Sequence, residues 1–214
     1  MGRDSNSRRF PGFDVVKQSD HWDARTRDVV LQRFRLKPGR SFFSVDEEAV
    51  CRALLAALLA IGPNDSEIRV FEMVDGRLAA GVTDGWRYED MPPDTEAWRL
   101  SLAELGSTTF LGLGLDGRLQ VLEAIRTSDR FAGMPAKRLW DLWMRYACTA
   151  YYSHPAAWNE IGFGGPAYPR GYKNMGLDRR EPWEVEEVNA RDPIPWAARL
   201  EAARGDDAKR QRVI

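Results

Sequence analysis

The sequence predicts an all-α protein, a single helical domain with long irregular arms at both ends and a loop rich in glycine, proline and aromatic residues. Apolar residues recur at helical spacing in several segments, and no apolar–polar alternation persists long enough for a sheet. The length of 214 residues fits one domain. We divide it into an arm over 1–18, a helical core over 19–153, the loop over 154–181, and short helices with a polar tail over 182–214.

Caps and apolar spacing indicate the helices in the first half of the core. A first helix is predicted over 23–34. Ser44 and Glu47 form a capping box, in which each side chain bonds the backbone N–H of the other residue. The helix that follows is expected to end at Gly62–Pro63, because leucines recur at helical spacing up to that pair. A third helix is predicted over 67–78.

The second half of the core contains the longest predicted helix. Asp94 is expected to cap a helix that runs to Leu105. The segment 107–117 fits either a short strand or a buried turn, and a helix is predicted over 119–125. From Pro135 to Ser153 the apolar residues form two adjacent stripes, which predicts a central helix. One stripe consists of Leu139, Trp143, Tyr146, Ala147 and Ala150.

Composition and charge argue against several classes of function. The net charge of −1 gives no bulk electrostatic basis for binding nucleic acid. No apolar run reaches the roughly 20 residues that span a bilayer, so no membrane span is predicted. Cys51 and Cys148 lie in apolar helical patterns and are expected to be free thiols. Because no apolar leader follows Arg8–Arg9, we expect a cytoplasmic location, or a periplasmic one if a leader was removed or a partner carries it.

The segment 151–172 is the most informative part of the chain. Its glycines permit backbone angles that other residues resist, and its prolines prevent a regular helix through the loop. Its large aromatic groups favour burial. We therefore expect a shaped segment that fits either the core of the chain or a partner.

This segment gives only weak evidence for a catalytic or cofactor-binding site. Residues 162–167 formally fit a dinucleotide-binding pattern, but a helix precedes them and prolines follow, so the required strand–turn–helix context is missing. His154 is a candidate acid or base beside Ser153, Asn159 and Glu160. We favour instead a structural histidine that ends the helix, bonds carbonyls or stacks on Trp158. Two histidines and two distant cysteines supply no metal ligand set.

The motif Trp140-x-x-Trp143-x-Arg145-Tyr146, followed by YYSHPAAWNEIGFGGPAYPRGY over 151–172, resembles the gluconate 2-dehydrogenase subunit 3 family, most strongly over 135–183. The resemblance implies an all-helical, non-catalytic, chaperone-like small subunit of a sugar or glycoside dehydrogenase. The large subunit of such complexes is a glucose-methanol-choline (GMC) oxidoreductase that carries FAD. FAD is therefore expected in the partner and no cofactor in this chain. No haem motif is present, so a cytochrome or other electron acceptor would be a separate chain.

The predicted site of this chain is a partner-binding surface, without catalytic, cofactor-binding or metal-binding residues. Its aromatic, arginine and polar side chains suit an interface. The predicted partner-binding residues are His154, Trp158, Asn159, Phe163, Tyr168, Arg170, Tyr172 and Trp183. Two alternatives from other classes remain: a stand-alone enzyme that uses His154, and a general protein-binding helical module.

Overall fold

The computed structural model describes residues 9–61, 67–174, 181–186 and 188. It confirms the all-α prediction, since the only sheet in this part of the chain is a two-stranded hairpin, β1 (Arg130–Phe131) with β2 (Met134–Pro135). The helices are α1 (Ala24–Gln32), α2 (Val45–Leu58), α3 (Val70–Ala79), α4 (Asp94–Gly106), α5 (Leu115–Thr127), α6 (Ala136–Tyr152) and α7 (Pro155–Ile161). No helix among the described residues is both long and apolar enough to cross a membrane.

Helix α6 is the centre of the main core, as its double apolar stripe predicts. It packs against α2, α3, α5 and α7. Trp143 is completely buried and donates its Nε1–H to Ser101 Oγ at 3.2 Å, so the indole is both packed and hydrogen-bonded. The buried stripe consists of Leu139, Trp143, Tyr146, Ala147 and Ala150.

Helix α2 begins with a side-chain cap, whereas helix α4 does not. At α2 the Ser44–Glu47 capping box is confirmed, with hydrogen bonds of 3.2 and 2.7 Å. At α4 the predicted cap is wrong, because Pro93 is the N-cap residue and no side chain bonds it. Asp94 instead accepts a hydrogen bond of 2.8 Å from the Tyr146 hydroxyl. Its carboxylate ties α4 to α6 rather than closing the end of α4.

The ambiguous segment 107–117 is not a strand. Phe110–Gly112 form a single 3-10 turn, with the Phe110 ring completely buried. Helix α5 begins after two further residues, at Leu115, four residues before the predicted start. The apolar residues here therefore mark a buried turn and a helix start.

An aspartate on α3 organises the segment that leads into α2. Asp75 is 2% exposed. Its carboxylate accepts hydrogen bonds from the backbone N–H groups of Ser41, Phe42 and Phe43, the last two at 3.0 and 2.9 Å. The chain between α1 and α2 is thereby fixed onto α3 without any regular secondary structure of its own.

The N-terminal arm is packed where the structure describes it. Val15–His21 form a 3-10 helix, with Asp14 accepting from Val16 N–H at its start. Val15 and Trp22 are buried in a second, small cluster with residues from α1 and α7. The prediction of an irregular arm over 1–18 is therefore wrong for residues 15–18, while 1–8 lie outside the described residues.

The predicted divisions of the C-terminal third also need correction. The loop expected from residue 154 instead begins with α7, and the chain becomes irregular after Gly162. Residues 181–186 contain no helix, contrary to the expectation of a helix from Pro182. The helix expected over 195–204 and the polar tail lie outside the described residues.

Candidate partner-binding site

The candidate site begins where α6 ends and the chain turns into α7. His154 breaks the helix with extended backbone angles, φ −87° and ψ 135°, as expected for a residue before proline. Its imidazole Nδ1 then caps α7 by accepting from the Ala156 N–H at 3.2 Å. Gly162 ends α7 in the left-handed conformation at φ 70°. This short helix positions the loop that follows.

His154 is a structural histidine. It is 2% exposed, and its ring meets the edge of Phe34, with centroids 4.8 Å apart, rather than stacking on Trp158. Burial lowers the pKa of His154 below its usual 6.5. The negative charge of Glu67 and a backbone hydrogen bond at Arg33 oppose this shift, and the positive charge of Arg33 adds to it. A histidine in this position has no open path to a substrate, so the geometry does not favour an enzyme that uses it.

We expect the free energy of unfolding to fall as the pH is lowered from about 7 to 5. Below about pH 6.5 the unfolded chain binds a proton at His154 that the folded chain resists, which favours unfolding by up to about 1.4 kcal/mol per pH unit. Urea unfolding at several pH values across this range measures how steeply the free energy of unfolding depends on pH. His154→Asn, which keeps a capping oxygen and does not titrate, should have a shallower slope; identical slopes would contradict the prediction.

Trp158 and Asn159 both bind the chain itself. Trp158 is 6% exposed and donates its indole N–H to the Tyr152 carbonyl at 2.6 Å. Asn159 Oδ1 accepts from the Val15 N–H at 2.8 Å and so fixes the N-terminal 3-10 helix onto α7. Neither side chain is placed to anchor a partner in this conformation.

Two glycines let the N-terminal segment approach the loop closely. A Cβ atom on Gly162 would lie 2.5 Å from the Phe10 ring, and one on Gly165 would lie 2.6 Å from the Trp22 ring. Both glycines also have positive φ, at 70° and 80°. The aromatic rings of the N-terminal segment therefore occupy the space that side chains at these positions would need.

Arg170 connects three parts of the chain. Its guanidinium lies 3.9 Å from the centroid of the Trp183 ring. It also donates to the Gly164 carbonyl at 3.2 Å and to Gln18 Oε1 at 3.3 Å. The loop is thus held between the N-terminal segment and the residues around Trp183, and Arg170 is not free for a partner.

The exposed members of the predicted site are three aromatic side chains of the loop. Phe163, Tyr168 and Tyr172 are 38%, 67% and 53% exposed. Phe163 packs edge-on against Trp158, with centroids 5.3 Å apart, so its position is set by the buried cluster. We call Phe163, Tyr168 and Tyr172 the loop aromatics. Of the eight predicted partner-binding residues, these three remain accessible as large apolar groups.

The helices and the loop also match a known family. The model of the gluconate 2-dehydrogenase subunit 3 family matches residues 45–165. The chain belongs to this family. The match starts with α2 and ends at Gly165, so it reaches further toward the N-terminus than the region of strongest sequence resemblance, which begins at residue 135. Family membership implies a partner chain in a dehydrogenase complex. No curated protein and no solved structure matches this chain.

A second cluster of aromatics and arginines was missed by sequence reasoning. Trp86 and Tyr88, in the loop before α4, pair edge-on with centroids 5.1 Å apart. Two arginines of α6 stack on them, Arg138 over Tyr88 at 3.6 Å and Arg145 over Trp86 at 4.9 Å. The two arginines are seven residues apart, which is two turns of a helix, and this spacing on α6 is the signal that would have placed them on one face.

Proposed function

We propose that this chain is the non-catalytic accessory subunit of an FAD-dependent GMC-family sugar or glycoside dehydrogenase, which it stabilises and helps to mature. FAD and the catalytic groups belong to the partner in this proposal. One observation carries it: a member of a dehydrogenase-subunit family holds this loop through contacts with its own chain and still exposes the three loop aromatics.

The loop is suited to bind without large loss of conformational freedom. Phe163 rests on Trp158, and Arg170 fixes the backbone at Gly164 through a hydrogen bond. A loop that is ordered before binding loses little entropy when a partner covers it. Tyr168 and Tyr172 are then available as amphipathic anchors, with an apolar ring and a hydroxyl that can stay hydrated or bond the partner.

Co-expression tests the proposal directly. A gene for a GMC-type flavoprotein is expected beside the gene for this chain, and the soluble, FAD-loaded yield of that flavoprotein should rise when both are expressed. FAD absorbance of the purified flavoprotein measures the yield. An unchanged yield without this chain would refute the proposal and leave the general protein-binding module.

Substitution of the exposed loop aromatics should weaken partner binding without affecting folding. We expect Tyr168→Ala with Tyr172→Ala to weaken flavoprotein binding by about 2 kcal/mol or more per anchor, with little change in thermal unfolding. Leu100→Ala with Leu119→Ala is the matched control, because these side chains are similarly exposed, at 44% and 40%, on α4 and α5. Equal affinities for the tyrosine double variant and the control would contradict the interface.

A further inference from the structure

A cleft lined by aromatic and charged side chains lies between the loop before α4 and helix α6. It has a volume of about 360 Å³ including its open mouth. Met91 and Leu142 are buried at its floor, and Trp86, 54% exposed, stands at its edge. The residues that line it are Trp86, Arg87, Tyr88, Met91, Asp94, Arg138, Asp141, Leu142 and Arg145.

Arg145 is an arginine of this cleft that contacts both an aromatic ring and carboxylates. One face of its guanidinium lies over Trp86. Its N–H groups form ion pairs with Asp84 at 3.1 Å and with Asp94 at 3.6 Å. Stacking uses the face of the guanidinium plane and leaves the edge to bind carboxylates, so both parts of Arg145 are engaged.

Arg138 has the same aromatic contact without the carboxylate. Its guanidinium lies 3.6 Å from the centroid of Tyr88. No ion pair or hydrogen bond links it to any carboxylate among the described residues, and Asp141, one turn along α6, also lines the cleft without pairing with it. The other two carboxylates near the cleft are already engaged. Asp84 forms ion pairs with Arg77 and Arg145, and Asp94 forms an ion pair with Arg145 and accepts a hydrogen bond from the Tyr146 hydroxyl.

We propose that the cleft receives a segment of the flavoprotein subunit that carries a carboxylate for Arg138 beside an apolar group that covers Trp86. This rests on the proposed function. Arg87 also lines the cleft without an ion pair among the described residues. Two arginines of the cleft, Arg87 and Arg138, therefore have N–H donors that no carboxylate among these residues accepts. A stacked arginine is ordered before binding, and its fork matches a carboxylate through two parallel hydrogen bonds. The exposed indole supplies the apolar contact.

The charge on Arg138 is tested by affinity for the co-expressed flavoprotein. Arg138→Ala should weaken binding of the full chain at least tenfold, and the loss should shrink at high salt. Arg138→Lys keeps the charge but lacks the planar fork, so it should restore only part of the affinity. Lys137→Ala is the matched control, since it removes one positive charge from the adjacent, exposed position and should change affinity less than twofold.

Trp86→Ala is a second variant of the cleft, and it leaves the sequence of α6 unchanged. It should also weaken flavoprotein binding. If wild-type chain binds but Arg138→Ala and Trp86→Ala bind within twofold of it, the cleft proposal is wrong and the proposed function stands. If wild-type chain binds no flavoprotein, both fail. If the free chain dimerises and Arg138→Glu abolishes the dimer in sedimentation, the occupant is a second copy and the proposal is overturned.

Discussion

Trp158→Ala is expected to lower the free energy of unfolding by about 3–5 kcal/mol, the usual range for removing a large buried aromatic side chain. Trp158 is buried against three side chains: Val15 of the N-terminal 3-10 helix, Trp22 directly after that helix, and Val30 of α1. The substitution would leave a cavity where three segments meet. It would also remove the donor that satisfies the Tyr152 carbonyl at the end of α6. Urea unfolding followed by circular dichroism measures the change.

Trp86→Ala is the control for the stability measurement only, since it is itself expected to weaken flavoprotein binding. Trp86 is 54% exposed, so its removal should cost less than about 1 kcal/mol in stability. A Trp158→Ala variant that unfolds like the wild-type chain and loses only flavoprotein binding would show that the tryptophan is an interface anchor. That result would contradict its position in the buried cluster.

Asp75→Ala is expected to destabilise the chain by about 3–5 kcal/mol. The substitution leaves the N–H groups of Ser41, Phe42 and Phe43 without their acceptor, and a buried unsatisfied donor costs about 1–3 kcal/mol. Leaving the Phe43 N–H without an acceptor costs the most, because Phe43 is 3% exposed and contacts the rings of Phe71 and Trp98 in the main core. Thermal and urea unfolding together measure the effect.

Asp75→Asn separates hydrogen bonding from charge. It keeps one acceptor oxygen, so its loss of stability should lie between that of Asp75→Ala and zero. Asp90→Ala is the surface control, because Asp90 lies exposed in the loop before α4, and it should change stability by about 0.5 kcal/mol or less. If Asp75→Ala and Asp90→Ala unfold at the same urea concentration, Asp75 does not hold this segment.

Local signals predict the elements whose ends are set by neighbouring residues. The Ser44–Glu47 capping box and the apolar stripe of α6 act within a few residues of the chain, and both are confirmed. The Asp94 cap is wrong because Pro93 is the N-cap residue and the Asp94 carboxylate binds groups on α6, the Tyr146 hydroxyl and Arg145. Helix α7 was missed because its seven residues carry too little periodicity, and its histidine cap is not a common one.

The candidate site was predicted in part. The sequence indicates the correct loop, since glycines, prolines and aromatics in one segment require a shaped backbone. It does not show which aromatic side chains point inward. Trp158 and Tyr168 are equivalent as sequence signals, yet one is 6% exposed and the other 67%. The difference arises from the N-terminal segment, whose Trp22 and Val15 come from more than 130 residues away to cover Trp158.

The sequence by itself determined the helical fold class, the central position of α6, the cap of α2 and the family, because these depend on periodicity and on residue order. Only the tertiary structure decided that His154 and Trp158 are internal, that Asp75 holds the segment before α2, and that Arg138 and Arg145 stack on the loop before α4. Those features depend on contacts between distant parts of the chain, and such contacts follow from how the helices pack rather than from any local pattern.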